Sequence, residues 1–353
     1  MSTMPQKMKA AIFYEAGDMR LEEIDIPTIS DNQVLVKVKY NGLCGTDATE
    51  FTKGPMMTPL KTRHPGSGHL GPLVLGHEFI GTVVACGKNV QSMSGKRIAC
   101  GAGISCGKCS RCLEGRTNLC LNYYTLGIST HGGMAEYVAA DAEFCIPIPD
   151  SLSDEDAAMA QPLAVGIHGV TRSGVKKGDT VIVLGVGAIG CFVVVGLLKL
   201  GVEIIAVDID QGRLDVAHQL GVSQTFLIEK DVTPEQIKGQ IGKSADVVFE
   251  TSGAPGAIPR ALALTEKGGT CMLMGLNKSP EGVTFSDPVL REITLQTTVA
   301  HVCATDMPAA LEILATTNVA DLLRGPVYPL ANFKDAFEML TSGKPTGKIL
   351  VQP

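Results

Sequence analysis

The stretch Val181 to Leu184 runs directly into Gly185-Val186-Gly187-Ala188-Ile189-Gly190, and no other part of the chain limits its fold as strongly. A lone G-x-G-x-x-G means little. Here it follows an apolar β-branched run, opens a helical stretch, and is followed by a second apolar run that ends in Asp208. Gly185 permits the tight turn, Gly187 lets backbone approach a pyrophosphate, and Gly190 lets helix and strand pack closely. The N–H groups that Ala188, Ile189 and Gly190 leave free at a helix start would face phosphates. Asp208 stands where a carboxylate accepts from the hydroxyls of a ribose. A 2′-phosphate there would meet a like charge, so the sequence predicts NAD over NADP, with Arg213 as a nearby cation that offsets part of that repulsion. The plain alternative is a glycine-rich turn in a parallel sheet that binds nothing.

The surroundings extend this unit into a doubly wound α/β sheet. Thr180 to Leu184, Glu203 to Asp208, Thr225 to Ile228, Asp246 to Glu250 and Thr270 to Met274 read as parallel strands buried on both faces, with crossover helices over Ala188 to Leu200 and Gln211 to Leu220. Before them lies a different pattern. Lys9 to Tyr14, Val34 to Tyr40, Glu78 to Val84, Arg97 to Cys100 and Ala135 to Ala139 read as short strands punctuated by Gly and Pro, which predicts an irregular β-rich domain. The tail has helical stretches near Met307 to Thr316 and Asn332 to Leu340 and a last strand, Lys348 to Val351. It is expected to pack back on the first domain. The predicted division is 1–160, 161–299 and a return over 300–353. With 353 residues the chain is long enough for two cores.

Composition excludes several classes. Hydrophobic residues at 45% and charged residues at 19% fit a globular chain and not a disordered one. A formal net charge of -6 disfavours a nucleic-acid partner. The stretch Met1 to Lys7 lacks an apolar signal core, and the most apolar stretch, Val181 to Leu200, is broken by glycines, so neither export nor a membrane span is expected. Eleven cysteines with no export signal predict cytoplasmic thiols in metal or core roles. Cys106, Cys109, Cys112 and Cys120 follow C-x2-C-x2-C-x7-C in a polar loop over about 100–122. Four thiolates around tetrahedral zinc would cross-link such a loop and leave no open position for chemistry, so this reads as a structural site; incidental cysteines or disulfides are the alternative.

Cys44-Gly45-Thr46-Asp47 and Gly76-His77-Glu78 form a second constellation, weak in each part and specific alongside the other two. Together with Pro72-Leu73-Val74-Leu75-Gly76-His77-Glu78, the four-cysteine lobe, Gln161-Pro162-Leu163-Ala164-Val165-Gly166-Ile167-His168 and the insert between Phe51 and Gly71, it makes the chain resemble the zinc-containing medium-chain alcohol dehydrogenases over essentially its whole length. The likeness is greatest to the butanediol and sorbitol dehydrogenase branch. It implies a GroES-like β-rich catalytic domain beside a Rossmann NAD-binding domain, two zinc ions per chain, and a homotetramer or homodimer. By position, Cys44 and His77 match thiolate and imidazole ligands, and Glu78 a carboxylate that is either a ligand or just behind the metal. Thr46 matches the hydroxyl that bonds the substrate oxygen. Asp47 matches the carboxylate that orients His77 through its far ring nitrogen.

Two positions depart from the family. Gln161 stands where the sorbitol-type branch has a glutamate ligand, so Gln161, Glu78 or water completes the shell, and a less anionic shell leaves zinc a stronger Lewis acid that is held less tightly. Thr49 stands where a proton-relaying histidine is common. The chemistry explains why a metal is expected. A neutral alcohol releases hydride poorly and its anion readily. Zinc lowers the pKa of water from ~16 to ~7 at best, and nine units at ~1.4 kcal/mol each is ~12 kcal/mol, more than any hydroxyl hydrogen bond supplies. The expected reaction is hydride transfer between a secondary alcohol and NAD, with vicinal diols and polyols as favoured substrates. The rivals are an NADPH-dependent quinone or alkene reductase without catalytic zinc, and a non-enzymatic NAD-binding structural protein.

Overall fold

The computed structural model describes residues 5–277, 282–342 and 347–353. Residues 1–4, part of the N-terminal stretch read above, lie outside it. The chain divides into two compact units, Met1–Gln161 with His301–Pro353, and Pro162–Ala300.

In the first unit, the sheet that carries the candidate site has Gln33–Gly42 near its middle. This strand pairs antiparallel with Glu78–Cys86, Tyr137–Asp141 and Lys348–Gln352. Arg97–Cys100 and Cys145–Pro147 extend the sheet beyond Glu78–Cys86, and Arg324–Pro329 lies parallel to Lys348–Gln352 at the other side. A smaller sheet joins Lys7–Glu15 to Asp18–Asp25 and to Leu73–Val74. Phe13, Met19, Leu43, Leu73, Leu75, Met134 and Phe337 form the buried cluster between these elements. Two short pieces, Gly103–Ile104 and Tyr124–Thr125, pair at the base of the cysteine lobe.

The second unit is a six-stranded, wholly parallel sheet. Its order places Thr180–Leu184 between Glu203–Asp208 and Ala245–Glu250. Outside these lie Gln224–Leu227 on one side, and Thr265–Leu273 then Thr294–Thr297 on the other. In order of appearance this is 3-2-1-4-5-6, the doubly wound arrangement with its reversal point between the first and fourth strands. The three central strands, Thr180–Leu184, Glu203–Asp208 and Ala245–Glu250, are rich in Val and Ile and largely buried, with the helix Ala188–Leu197 packed on the first and Ala257–Leu264 on the third.

Several elements depart from the sequence reading. The strand expected over Ala135 to Ala139 runs Tyr137–Asp141, and that expected at Thr270 begins at Thr265. The strands Asp18–Asp25 and Arg324–Pro329 and the helices Gly45–Lys53, Ala160–Ser173, Pro234–Ile241 and Ala257–Leu264 were not anticipated. Among the described residues no helix is long and apolar enough to cross a membrane.

Candidate metal centres and dinucleotide site

Three neighbouring strands bring the first constellation together. Gly42 at the end of Gln33–Gly42 stands opposite Glu78, the first residue of its partner strand, and opposite Leu350 on the other side. Cys44 therefore emerges beside His77 and Glu78, and Lys348 enters from the third strand. One donor atom from each of Cys44, His77 and Glu78 lies within 4.8 Å of the others. Cys44 also caps the helix Gly45–Lys53, and its N–H donates to Asp47 Oδ2 at 3.0 Å. The His77 ring stands between two carboxylates, with Nδ1 at 3.5 Å from Asp47 Oδ1 and Nε2 at 4.0 Å from Glu78 Oε1. Burial works against a charged imidazole here. The charges of Asp47 and Cys44 outweigh it and hold His77 well above its ordinary pKa.

Behind Glu78 lies a residue that sequence reading missed. Lys348 is buried and its ammonium pairs with Glu78 Oε2. Burial alone would lower its pKa, but the Glu78 carboxylate raises it, helped by Cys44. Gly42 makes room for this pair, since a Cβ there would overlap the Glu78 carboxylate. The only signal in the sequence is a lone cation opening an otherwise apolar strand. Thr46 lies in the first turn of the Gly45–Lys53 helix, partly exposed, and Thr49 Oγ1 donates to the Gly45 carbonyl at 2.9 Å. Gln161 lies in the first turn of Ala160–Ser173, half-buried.

The donor set suits zinc: a thiolate, an imidazole and a carboxylate converge, with Nδ1 of His77 directed at Asp47 and Nε2 left on the side of Glu78. The lobe suits it too. The four sulfurs of Cys106, Cys109, Cys112 and Cys120 converge within the same 4.8 Å. Backbone N–H groups of Cys106 and Asn122 donate to Cys120 Sγ at 3.2 and 3.3 Å. The N–H groups of Lys108 and Cys109 pull the Cys106 thiol down to about 6, while burial pushes Cys112 up to about 11. Cross-linked thiolates need no deeper core, which matches the exposure of Leu113 and Leu121 at the lobe surface.

In the second unit, Gly185 adopts φ +91°, a conformation open to glycine, and a Cβ on Gly190 would overlap the Gly185 carbonyl. A Cβ on Gly187 would meet nothing within 4 Å, so the turn is open on the side where backbone would approach a phosphate. Gly187 caps the helix Ala188–Leu197. Asp208 is buried and already engaged: Oδ2 accepts from the Val186 N–H at 2.8 Å, and Oδ1 from Ile209 and Asp210 at 2.8 and 3.0 Å. Of about four lone-pair sites on a carboxylate, that leaves one on Oδ2 for a ligand. Arg213 Nη1 stands 3.7 Å from Oδ1.

Comparison with known proteins identifies the family. Residues 30–150 match the family model described as alcohol dehydrogenase GroES-like domain, and residues 188–316 the one described as zinc-binding dehydrogenase. Sorbitol dehydrogenase of Bacillus subtilis is 32% identical over 95% of this chain and 94% of its own length. L-threonine 3-dehydrogenase of the same organism is 32% identical over 98% and 99%. The crystal structure of 2R,3R-butanediol dehydrogenase from Bacillus subtilis superposes with a TM-score of 0.88 at 30% identity, covering 98% of this chain and 99% of that one.

Proposed function

The chain belongs to the zinc-containing medium-chain alcohol dehydrogenases, near their sorbitol and butanediol dehydrogenase branch, and from that premise we propose that it transfers a hydride between a secondary alcohol and NAD, reversibly reducing the ketone. Vicinal diols and polyols are the substrates favoured. The observation that carries this reading is the convergence of Cys44, His77 and Glu78 in a chain that also holds the complete fingerprint turn and Asp208.

Cys44 and His77 would hold the catalytic zinc, with Glu78 or Gln161 as the third protein ligand, and Cys106, Cys109, Cys112 and Cys120 a structural zinc. When bound, the catalytic zinc supplies Lewis acidity toward a substrate hydroxyl and NAD supplies the hydride acceptor. The residues of the chain do the rest. Asp47 Oδ1, 3.5 Å from the far nitrogen of His77, would accept from it and so fix which ring nitrogen faces the metal. Lys348 balances the charge of Glu78. The Thr46 hydroxyl would hydrogen-bond the substrate oxygen, and Thr49 offers no imidazole to relay a proton beyond it. The free N–H groups of Ala188, Ile189 and Gly190 take the pyrophosphate, with Gly185 and Gly187 giving it room. The remaining lone pair of Asp208 takes one ribose hydroxyl and disfavours a 2′-phosphate, with Arg213 weakening that discrimination.

The test is a panel of secondary alcohols, diols and polyols with NAD and with NADP, read by reduced-cofactor absorbance with and without a chelator and paired with zinc analysis. Expected are two zinc ions per chain, turnover with NAD, and its loss on chelation. Cys44→Ser should abolish turnover while NAD binding survives, and Gln161→Glu should change zinc occupancy or rate. Full turnover in a preparation without zinc at Cys44 and His77, or NADPH-driven quinone or alkene reduction in place of alcohol oxidation, would overturn the reading.

A further inference from the structure

Glu250 ends the strand Ala245–Glu250, in register with Leu184 on one side and Leu273 on the other. Leu184 directly precedes the fingerprint turn, so Glu250 stands at the reversal point of the sheet. Its side chain is 1% exposed. An unpaired carboxylate at that depth is costly, and Glu250 offsets part of that cost by curling back on its own chain. Oε1 accepts from the Ser252 N–H at 2.8 Å, the Ser252 hydroxyl at 2.5 Å and the Gly253 N–H at 3.0 Å. Oε2 is buried, accepts nothing among the described residues, and lies 2.6 Å from where a Cβ on Gly275 would stand. The main-chain carbonyl of Glu250 accepts from the N–H groups of Met274 and Gly275 at 2.8 and 2.9 Å.

One residue thus ties two loops, 251–254 and 274–277, which follow adjacent strands. They meet at glycines, since a Cβ on Gly275 would overlap the Gly253 nitrogen. The first loop is also bound to the fingerprint turn: the Thr251 N–H donates to the Leu184 carbonyl at 3.1 Å, and the Thr251 hydroxyl to the Gly185 carbonyl.

We infer that Glu250 is a positioning residue for the nicotinamide half of the cofactor, its side chain holding the loop 251–254, which in turn packs against 274–277 where Gly253 meets Gly275. The inference rests on the cofactor reading above. If the turn takes the pyrophosphate and Asp208 the adenosine ribose, the adenosine lies over the first three strands. The other mononucleotide then falls beyond the reversal point, over the ends of Ala245–Glu250 and Thr265–Leu273, where the two loops stand. Loops fixed before the ligand arrives spare the ordering cost of binding. Oε1 answers three donors at once, which an alanine cannot do and a glutamine does in part.

NADH and ADP, which lacks the nicotinamide half, are titrated into the full-length zinc-loaded protein and into Glu250→Ala and Glu250→Gln. Glu250→Ala should weaken NADH at least tenfold and leave ADP within about twofold, with Glu250→Gln between the two for NADH. Should Glu250→Ala not fold, Gly275→Ala forces the same loops apart from the other side and carries the same expectation. Equal weakening of NADH and ADP, or unchanged NADH affinity, overturns the inference. A wild-type preference for NADPH would overturn the NAD reading alone, because the extra phosphate sits on the adenosine ribose. The same comparison with NADPH and 2′-phospho-ADP would still decide the role of Glu250.

Discussion

Removing the Lys348 ammonium would take from the Glu78 carboxylate its nearest counter-charge where solvent is excluded, because both side chains are buried. Breaking such a pair from one side costs about 3–5 kcal/mol, since the desolvation of the survivor is no longer offset. Lys348→Met should therefore lower unfolding free energy by about that amount, read from denaturant titrations at fixed zinc. The double variant Lys348→Met with Glu78→Gln should lose less than Lys348→Met alone. A single-variant loss below about 1 kcal/mol would show that the pair is not coupled. Sequence reading found Glu78 because it follows a histidine in a recognisable run. It passed over Lys348 because the partner arrives only through the pairing of Lys348–Gln352 with Gln33–Gly42, some three hundred positions away in the chain. Asp208 is a similar case. Its place at a strand end was legible, whereas the three backbone N–H groups that occupy its oxygens depend on how the turn folds back over it.

Elements differ in how far their own sequence determines them. The strands Thr180–Leu184 and Glu203–Asp208 were readable to the residue, because burial on both faces demands an unbroken apolar run. Asp18–Asp25 was not, because it is a charge-rich edge strand that among the described residues pairs only with Lys7–Glu15, and Arg324–Pro329 hides its pairing behind two prolines. The helix Gly45–Lys53 has little apolar patterning and is set by the Cys44 and Asp47 capping pair. The lobe is the extreme case. Its helix Ser110–Leu113 has four residues and its strands Gly103–Ile104 and Tyr124–Thr125 two each, too little to persist unaided. Structural zinc contributes apparent free energies of about 10–16 kcal/mol in small zinc-folded peptides. Cys112→Ser should therefore release amide protection across residues 103–125 in hydrogen exchange, while protection in the helix Ala188–Leu197 stays as in the wild type. Unchanged protection in the lobe would mean that its fold does not depend on the metal.

At the scale of the whole molecule, the parallel sheet ends in a strand that is not protected. Among the described residues Thr294–Thr297 pairs on one side only, with Thr265–Leu273, and it contains no proline, lysine or bulge to discourage a further partner. Leu295 is exposed on it and Val299 just past its end, and Val289 and Leu290 are exposed on the short helix Ser286–Leu290 before it, with Phe285 at the helix cap. An open edge flanked by apolar side chains is covered most simply by a second copy of itself, since a two-fold axis beside the strand pairs it antiparallel with its equivalent and joins two six-stranded sheets. Such an interface would satisfy the free N–H and C=O groups and bury both apolar sets together, which a monomer cannot do. The expected result is a dimer, or a multiple of it, by light scattering at micromolar concentration. Gln296→Pro, which removes a backbone donor from this edge strand, combined with Leu295→Lys, which places a charge against its symmetry mate, should raise the dissociation constant at least a hundredfold. Because the fingerprint turn and the Cys44 cluster lie on other elements, zinc content should be retained in that variant. A wild-type chain that stays monomeric at these concentrations would remove the edge as an interface.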